Sequence, residues 1–499
     1  MNWMLRSLGI VPLAITSVAA LGVSQTVTPT SASGGKTVRV EARLLDTESW
    51  IMGGSGLPIP PPSYMDAITE RFIDPTTPFF NGQPQFPVSV MNALFTPEGL
   101  YPNSGVKSLE LEPSTLQGLS ILNSTINSQI ADGNNLVVLG YSQSATISTL
   151  EMRDLLALPL AQQPTADQLS FVMLGDPNLP DGGLFERFDL PVFSSYPTIP
   201  SLGITFSGAT PADVPWDTAI YTMEYDGYAD FPRYPIDIFS DLNAVLGIEY
   251  VHTIYPDLTD AQLASAFQLP VTADYTGATQ YFMIPNGQLP LLQPLESIPV
   301  VGQPIYDLME PDMRVLVDLG YGSVTNGWDA GPANVPTPMG LFPTNLNPAE
   351  VLSALASGTQ EGVQKFISDL GSLASGGGGL ASVVDVSNVS AALTDGAAGA
   401  GHSLPSLIDV ANTMSSIAES AYSTLLPTAD VINTMLTSAP AYAATLAVDE
   451  LASGNLLDAV GLPIAGLFGL GSIAGGLEFI VMFDAATQIA ADLTSLIPF

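Results

Sequence analysis

Opening an acyl bond by covalent attack needs an activated hydroxyl or thiol, an imidazole to take its proton, a carboxylate behind the imidazole and amides for the oxyanion. This chain has no cysteine, so the nucleophile would have to be a hydroxyl. Ser142 is the candidate, in Gly140-Tyr141-Ser142-Gln143-Ser144-Ala145. The apolar run 136–139 before it reads as a strand, and residues 145–156 after it read as a helix. A serine in so tight a strand-to-helix turn has strained backbone, so the residues two before and two after must be small. Gly140 satisfies this, and Ser144 stands where glycine is more usual. The following helix would aim its N-terminal amides at the serine oxygen.

The search for a base is short, because the chain has two histidines. His402, in Gly-Ala-Gly-His-Ser-Leu-Pro, reads as a surface or capping residue. His252, in Tyr250-Val251-His252-Thr253, lies downstream of the serine and after a helical pattern over 234–246. The order serine, acid, histidine then suits a base on a loop after the last strand. The plainer reading is a hydrogen-bonded core histidine among aromatics. The acid should lie between the two, just past a strand, and Tyr225-Asp226-Gly227-Tyr228-Ala229-Asp230-Phe231-Pro232 offers Asp226 and Asp230. Asp230 is preferred, with Asp226 left to hold the loop. Asp176, in Gly-Asp-Pro, reads as a turn. One oxyanion donor would be the amide of Gln143. The other would come from Gly53-Gly54-Ser55-Gly56, where the Ser55 hydroxyl could add a third; an ordinary glycine turn is the alternative.

The elements that must hold these residues alternate. Strand patterns at 38–50, 136–139, 169–174 and 218–225 are separated by helical ones at 64–72, 116–131, 145–156 and 234–246, with a Gly/Pro-rich excursion over 178–215. Such alternation predicts an α/β fold, a mostly parallel sheet covered on both faces.

Near residue 348 the composition changes from proline, aromatic and strand-rich to Ala/Ser/Gly/Leu-rich, and the 134 positions after Lys365 hold no lysine or arginine. Ser372-Leu-Ala-Ser-Gly-Gly-Gly-Gly reads as a flexible connector. The uncharged stretch between Asp458 and Glu478 holds six glycines and Pro463, a poor composition for a soluble helix. It packs on its neighbours, lies at an interface or crosses a membrane; Gly466, Gly471, Gly475 and Gly476 would allow close helix contact. At the other end, Arg6 and the apolar residues 8–23, followed by Val-Ala-Ala and Ser-Ala-Ser, have the pattern of an export signal or retained anchor. The expected organisation is therefore 1–34 signal or anchor, 35–347 α/β domain, and 348–499 helical tail.

With 499 residues, 46% apolar, the chain can bury a full enzyme core. Its net charge of −37 disfavours nucleic acid as a partner. Charged residues are only 12% of the chain and mean hydropathy is +0.32, too apolar for an acidic disordered protein and suited to work near lipid. Two separated histidines, with no histidine–carboxylate cluster, offer little to a transition metal, so no metal or cofactor is expected. Oligomeric state is left open.

Together, Met52-Gly-Gly-Ser-Gly, Phe95-Thr-Pro-Glu, Gly140-Tyr-Ser-Gln-Ser, Gly175-Asp-Pro-Asn, Tyr225-Asp-Gly-Tyr-Ala-Asp-Phe-Pro and Tyr250-Val-His-Thr resemble the PE-PPE domain of mycobacterial proteins over about 49–343. The resemblance implies a cutinase-like serine α/β-hydrolase acting on acyl esters, a subset of the family being acyltransferases that build trehalose-based envelope glycolipids. It implies Ser142 as nucleophile, His252 as base, Asp226 or Asp230 as acid, and Ser55 as the oxyanion-loop residue that is often threonine. A signal-like segment stands where family members have a PE or PPE helical module. The expectation is an exported enzyme with a lipid-ester or glycolipid substrate, in peripheral contact with envelope lipid; a hydrolase fold kept as a non-catalytic scaffold is the alternative.

Overall fold

A strand buried on both faces must be apolar at every position rather than at alternate ones. Asn135–Tyr141 (β3), Asn-Leu-Val-Val-Leu-Gly-Tyr, is such a strand, and it is central in the sheet. Leu136 and Val138 face one side and pack with Leu122, Ile126, Ile147 and Met152; Val137, Leu139 and Tyr141 face the other and pack with Ile68, Phe72, Val251 and Tyr255. The computed structural model describes residues 47–189, 196–375 and 406–495. The signal-type segment, the strand pattern at 38–46, the glycines at 376–379 and His402 lie outside the described residues.

The other strands are β1 (Thr47–Ile51), β2 (Val90–Ala93), β4 (Leu169–Leu174), β5 (Thr198–Ile199), β6 (Ile204–Thr205), β7 (Asp217–Met223), β8 (Phe267–Gln268) and β9 (Thr279–Ile284). The main sheet runs β2-β1-β3-β4-β7-β9-β8. Every neighbouring pair is parallel except β8 with β9. Helices α1 (Pro62–Ile68), α2 (Leu111–Ala131), α3 (Gln143–Ala157), α4 (Leu184–Arg187), α5 (Ile238–Tyr250), α6 (Asp260–Ala264), α7 (Gln293–Glu296) and α8 (Gly302–Leu319) complete this part. This is an α/β arrangement, a mostly parallel sheet covered by helices. The order reverses at β1, so the loops after β1 and β3 diverge and open a crevice at the carboxyl ends of the strands.

One expectation about the sheet needs correction. His252 does not follow the last strand: it comes after β7 and α5, and β8 and β9 come later, with β9 laid parallel beside β7. The run Thr-Gln-Tyr-Phe-Met-Ile of β9, no shorter than β4, was not read as a strand, yet five of its six residues are buried.

The C-terminal region is helical: α9 (Pro348–Ser375), α10 (Leu407–Ser423), α11 (Leu425–Leu436), α12 (Ser438–Ser453) and α13 (Leu456–Ser495). The glycine-rich stretch was expected to be a poor helix, yet α13 runs through all of it, Pro463 included. Packing overrides propensity here. Its buried residues include Gly461, Ala465, Gly469, Ser472 and Gly476, a stripe at helical spacing. A side chain at Gly469 would come within 2.7 Å of Phe188, and one at Gly476 would collide with Val245 of α5. Of the four glycines expected at such contacts, Gly466 and Gly476 make them. Gly475 has open space and Gly471 only an ordinary contact with Met435. Across the seam the Tyr442 hydroxyl donates to the Phe188 carbonyl at 3.1 Å and Ser472 to Asp241 at 3.2 Å. Tyr442, Leu446 and Leu470 join Phe188, Phe206 and Phe231 in one buried cluster. By length and composition two stretches, Leu407–Ser453 and Leu456–Ser495, are long and apolar enough to cross a membrane.

Candidate active site

Ser142 sits between β3 and α3 with φ +59° and ψ −118°, a conformation few non-glycine residues adopt. The strain persists because neighbours fix it. A Cβ on Gly140 would lie 2.5 Å from the Ser144 carbonyl and 2.7 Å from the Ser148 hydroxyl, so position 140 admits no side chain. Ser142 donates its amide to Leu174 of the adjoining strand at 3.0 Å. Ser144 is more than a small residue: its hydroxyl accepts the Tyr141 amide at 2.8 Å and donates to the Gly53 carbonyl at 2.7 Å. Glycine there would untie the turn from the loop after β1.

The Ser142 hydroxyl lies 2.7 Å from Nε2 of His252. Nδ1 of the same ring is 2.8 Å from both carboxylate oxygens of Asp226. With Nδ1–H donating to Asp226, Nε2 is left to accept the serine proton. Asp226 is fully buried and richly bonded, accepting the Tyr255 hydroxyl at 2.8 Å and the amides of Tyr228 at 3.0 Å and Ala229 at 3.3 Å.

Three contacts orient the imidazole. Tyr141 stacks on it at 5.4 Å between centroids and donates its hydroxyl to the His252 carbonyl. Tyr228 meets it edge-on at 4.8 Å. Gly175, at φ +54°, passes so close that a Cβ would lie 2.9 Å from Cε1 of His252 and 3.0 Å from Oδ2 of Asp226.

The preferred acid, Asp230, does not face His252. Its carboxylate accepts the Tyr225 amide at 2.9 Å, its own amide donates to the Asp226 carbonyl at 2.6 Å, and its carbonyl accepts the Tyr321 hydroxyl at 3.0 Å. Burial pushes its pKa well above the ordinary carboxylate range. The loop doubles back at Tyr225, φ +68°, which turns Asp226 to the histidine and Asp230 inward as a loop brace. Asp176 is the expected turn: its side chain accepts the Asn178 amide at 3.0 Å.

The loop after β1 lies against the serine, where a Cβ on Gly54 would be 3.2 Å from that of Ser142. Ser55 donates its hydroxyl to the Gln143 side chain at 2.9 Å, so in this structure it is engaged rather than free as a third donor. Gln143 in turn donates to the Ser114 hydroxyl at 2.6 Å, and Ser114 accepts the Gly99 amide at 2.8 Å. Sequence reasoning missed this clamp, since Gln143 was read for its amide alone. It also missed Glu98, at φ +49°, whose carbonyl accepts the Gly56 amide at 2.7 Å. Burial raises the Glu98 carboxyl to about 8, offset in part by the Thr96 hydroxyl.

Comparison with known proteins agrees with the motif reading. The model of the PE-PPE domain matches residues 87–322, a stretch that contains Ser142, Asp226, Asp230 and His252 and begins downstream of Ser55. The uncharacterized PPE family protein PPE28 of Mycobacterium tuberculosis is 40% identical over 478 residues, 92% of this chain and 69% of PPE28. Esterase PE16 of the same organism is 43% identical over 338 residues, 68% of this chain and 56% of PE16. Among solved structures, a cutinase-like protein from Cryptococcus sp. aligns with 37% of this chain and 79% of its own, at 15% identity and a TM-score of 0.22. On the strength of its domain match and of its identity to PPE28, this chain belongs to the PE-PPE family.

Proposed function

We propose that this protein is a serine esterase that cleaves acyl esters of lipids through an acyl-enzyme at Ser142. The observation that carries the reading is the unbroken line from the Ser142 hydroxyl through His252 to Asp226, with links of 2.7 and 2.8 Å. In the forward step His252 takes the serine proton as Ser142 attacks the carbonyl carbon, and Asp226 stabilises the imidazolium. The oxyanion is held by the Gln143 amide and by an amide of the loop after β1. The Gly56 and Leu57 amides of that loop are occupied by Glu98 and Gly54, which points to Gly54 or Ser55 as the second donor. Collapse of the tetrahedral species expels the alcohol, protonated by His252, and leaves the acyl group on Ser142. Water then enters by the same route in reverse.

The family resemblance supplies the second reading, in which a sugar hydroxyl replaces water and the product is an envelope glycolipid. Both use the same residues. The signal-type pattern over 1–34 and the mycobacterial relatives support work outside the cytoplasm, at the envelope.

The test is labelling with a fluorophosphonate probe together with turnover of p-nitrophenyl esters, with and without trehalose. Expected are stoichiometric labelling of Ser142 and a loss on the order of 10⁴-fold or more in turnover by Ser142→Ala. Turnover retained by Ser142→Ala, or no labelling of the folded wild-type protein, would overturn the reading. Acyl-trehalose formation at the expense of free acid would select transfer over hydrolysis.

A further inference from the structure

The helices after residue 348 have no part in the triad, yet one of them stands beside it. Between the α/β body and α13 lies a narrow, partly open apolar recess. Body residues Leu111, Phe185, Phe206 and Ile248 form one side, and Ile473, Leu477 and Ile480 of α13 form the other. Its lining contains no charged side chain. Tyr228 lines the recess and also meets the His252 ring edge-on at 4.8 Å. The recess and the triad histidine therefore share one wall, the Tyr228 ring.

We infer that α13 is one wall of an acyl-chain binding site, so that the C-terminal region sets how long an acyl group the enzyme accepts. This rests on the esterase reading above. The chemistry selects the occupant: a wall of Leu, Ile and Phe offers nothing to a sugar or an ion, whereas each buried methylene of a hydrocarbon chain gains transfer free energy. The place of α13 is fixed, not incidental. Gly476 lets the helix approach α5 at Val245, Ser472 bonds Asp241, and Thr428 of α11 bonds Glu478 at 2.6 Å. The stripe of small residues on α13 thus has a function: it brings Ile473, Leu477 and Ile480 to a spacing an alkyl chain can fill.

The experiment compares kcat/KM for p-nitrophenyl dodecanoate and acetate in the full-length protein and in Leu477→Trp, whose ring would occupy the recess. The dodecanoate-to-acetate ratio is expected to fall about tenfold or more. Leu477→Ala, which enlarges the recess, should move the preferred chain to a longer acyl group and serves if the tryptophan variant does not fold. Fluorophosphonate labelling identifies folded, active protein in each case. An unchanged ratio in labelled Leu477→Trp, or an unchanged optimum in labelled Leu477→Ala, overturns the inference. A wild-type protein that neither labels nor turns over any ester counts against the esterase reading instead. The recess is then judged by calorimetric binding of 1-dodecanol: binding weakened tenfold by Leu477→Trp sustains it, and unaltered binding refutes it.

Discussion

The two sides of the seam between the α/β body and α13 are built on different physics. Around Ser142 the side chains of the turn and of the carboxylate behind His252 have specified partners: Ser144 to Tyr141 and Gly53, Gln143 to Ser55 and Ser114, Asp226 to four donors. The helices after residue 348 are held chiefly by small residues that let backbones approach, with few polar links and many apolar side chains turned outward, such as Leu456 and Leu457, 71% and 73% exposed. Directional bonds fix positions to a fraction of an ångström, as acid–base chemistry requires. Apolar seams fix only a distance of approach, which is enough to shape a wall. The comparison implies that single-atom changes should be severe in the body and mild in the tail.

The largest effect should come from Asp226→Asn. Asparagine keeps the shape but presents either tautomer to His252, so kcat should fall on the order of 10⁴-fold with little change in KM. Asp230→Asn, which keeps an uncharged acceptor for the Tyr225 amide, should instead leave kcat and the pH–rate profile in place. Steady-state kinetics of the two variants separate the roles; equal kinetic losses would refute the assignment made from geometry.

Gly175→Ala probes the same precision through one methyl group. The new Cβ would press on His252 and Asp226 from a backbone angle that suits glycine. Displacement of the imidazole by part of an ångström should cost about 10²-fold in kcat. Its signature is reduced fluorophosphonate labelling rate in a protein that still unfolds cooperatively.

How much of this was legible depends on what distinguishes each residue in one dimension. Ser142 was readable because strain forces small neighbours, and Gly140 and Ser144 record that force. His252 was readable through scarcity. Asp226 was not, since two aspartates four positions apart both follow β7, and the choice between them is made by a reversal at Tyr225 that no residue type announces. A signal was present: Asp226 stands third after the last residue of β7, where a side chain can still reach the carboxyl edge of the sheet. The apolar runs of β3 and β4 announced their burial, whereas β2, four residues long, was too short to stand out, and β9 carries polar Thr279 and Gln280 at its start. In the tail, composition revealed helix but not contact. The seam depends on which glycines share a face, and that face is defined by the body as much as by α13.

A steric test on the tail side is Gly469→Leu. Phe188, which a Cβ would meet, belongs to a packed aromatic cluster, so the substitution should cost about 1–3 kcal/mol of stability. Turnover of p-nitrophenyl acetate per labelled site should change by less than about twofold, because the triad's own bonds do not cross the seam. A large kinetic loss with intact labelling would mean that the two regions are mechanically coupled.

The smallest effect, and the one that tests the contrast in charge, is the dependence of stability on pH. Burial raises the carboxyls of Glu98 to about 8, Asp318 to about 7 and Asp176 to about 6, all in the body. For each, the folded state holds its proton to a higher pH than the unfolded chain does, so unfolding releases protons and stability falls as pH rises. The contribution is complete below about 4, the ordinary carboxylate range, and is lost progressively up to about 8. In the tail, Asp409 is shifted the other way by its bond with Ser406, but it is exposed and adds little. The unfolding midpoint in urea should therefore be higher at pH 5 than at pH 8, and Glu98→Gln should flatten the slope between them. Glutamine preserves the neutral side chain that the fold selects, and its amide can occupy the position of the Glu98 oxygen that has no hydrogen-bond partner. A slope of the same size in Glu98→Gln would move the proton linkage to the other buried carboxyls of the body, and a midpoint that rises with pH would contradict the sign worked out here.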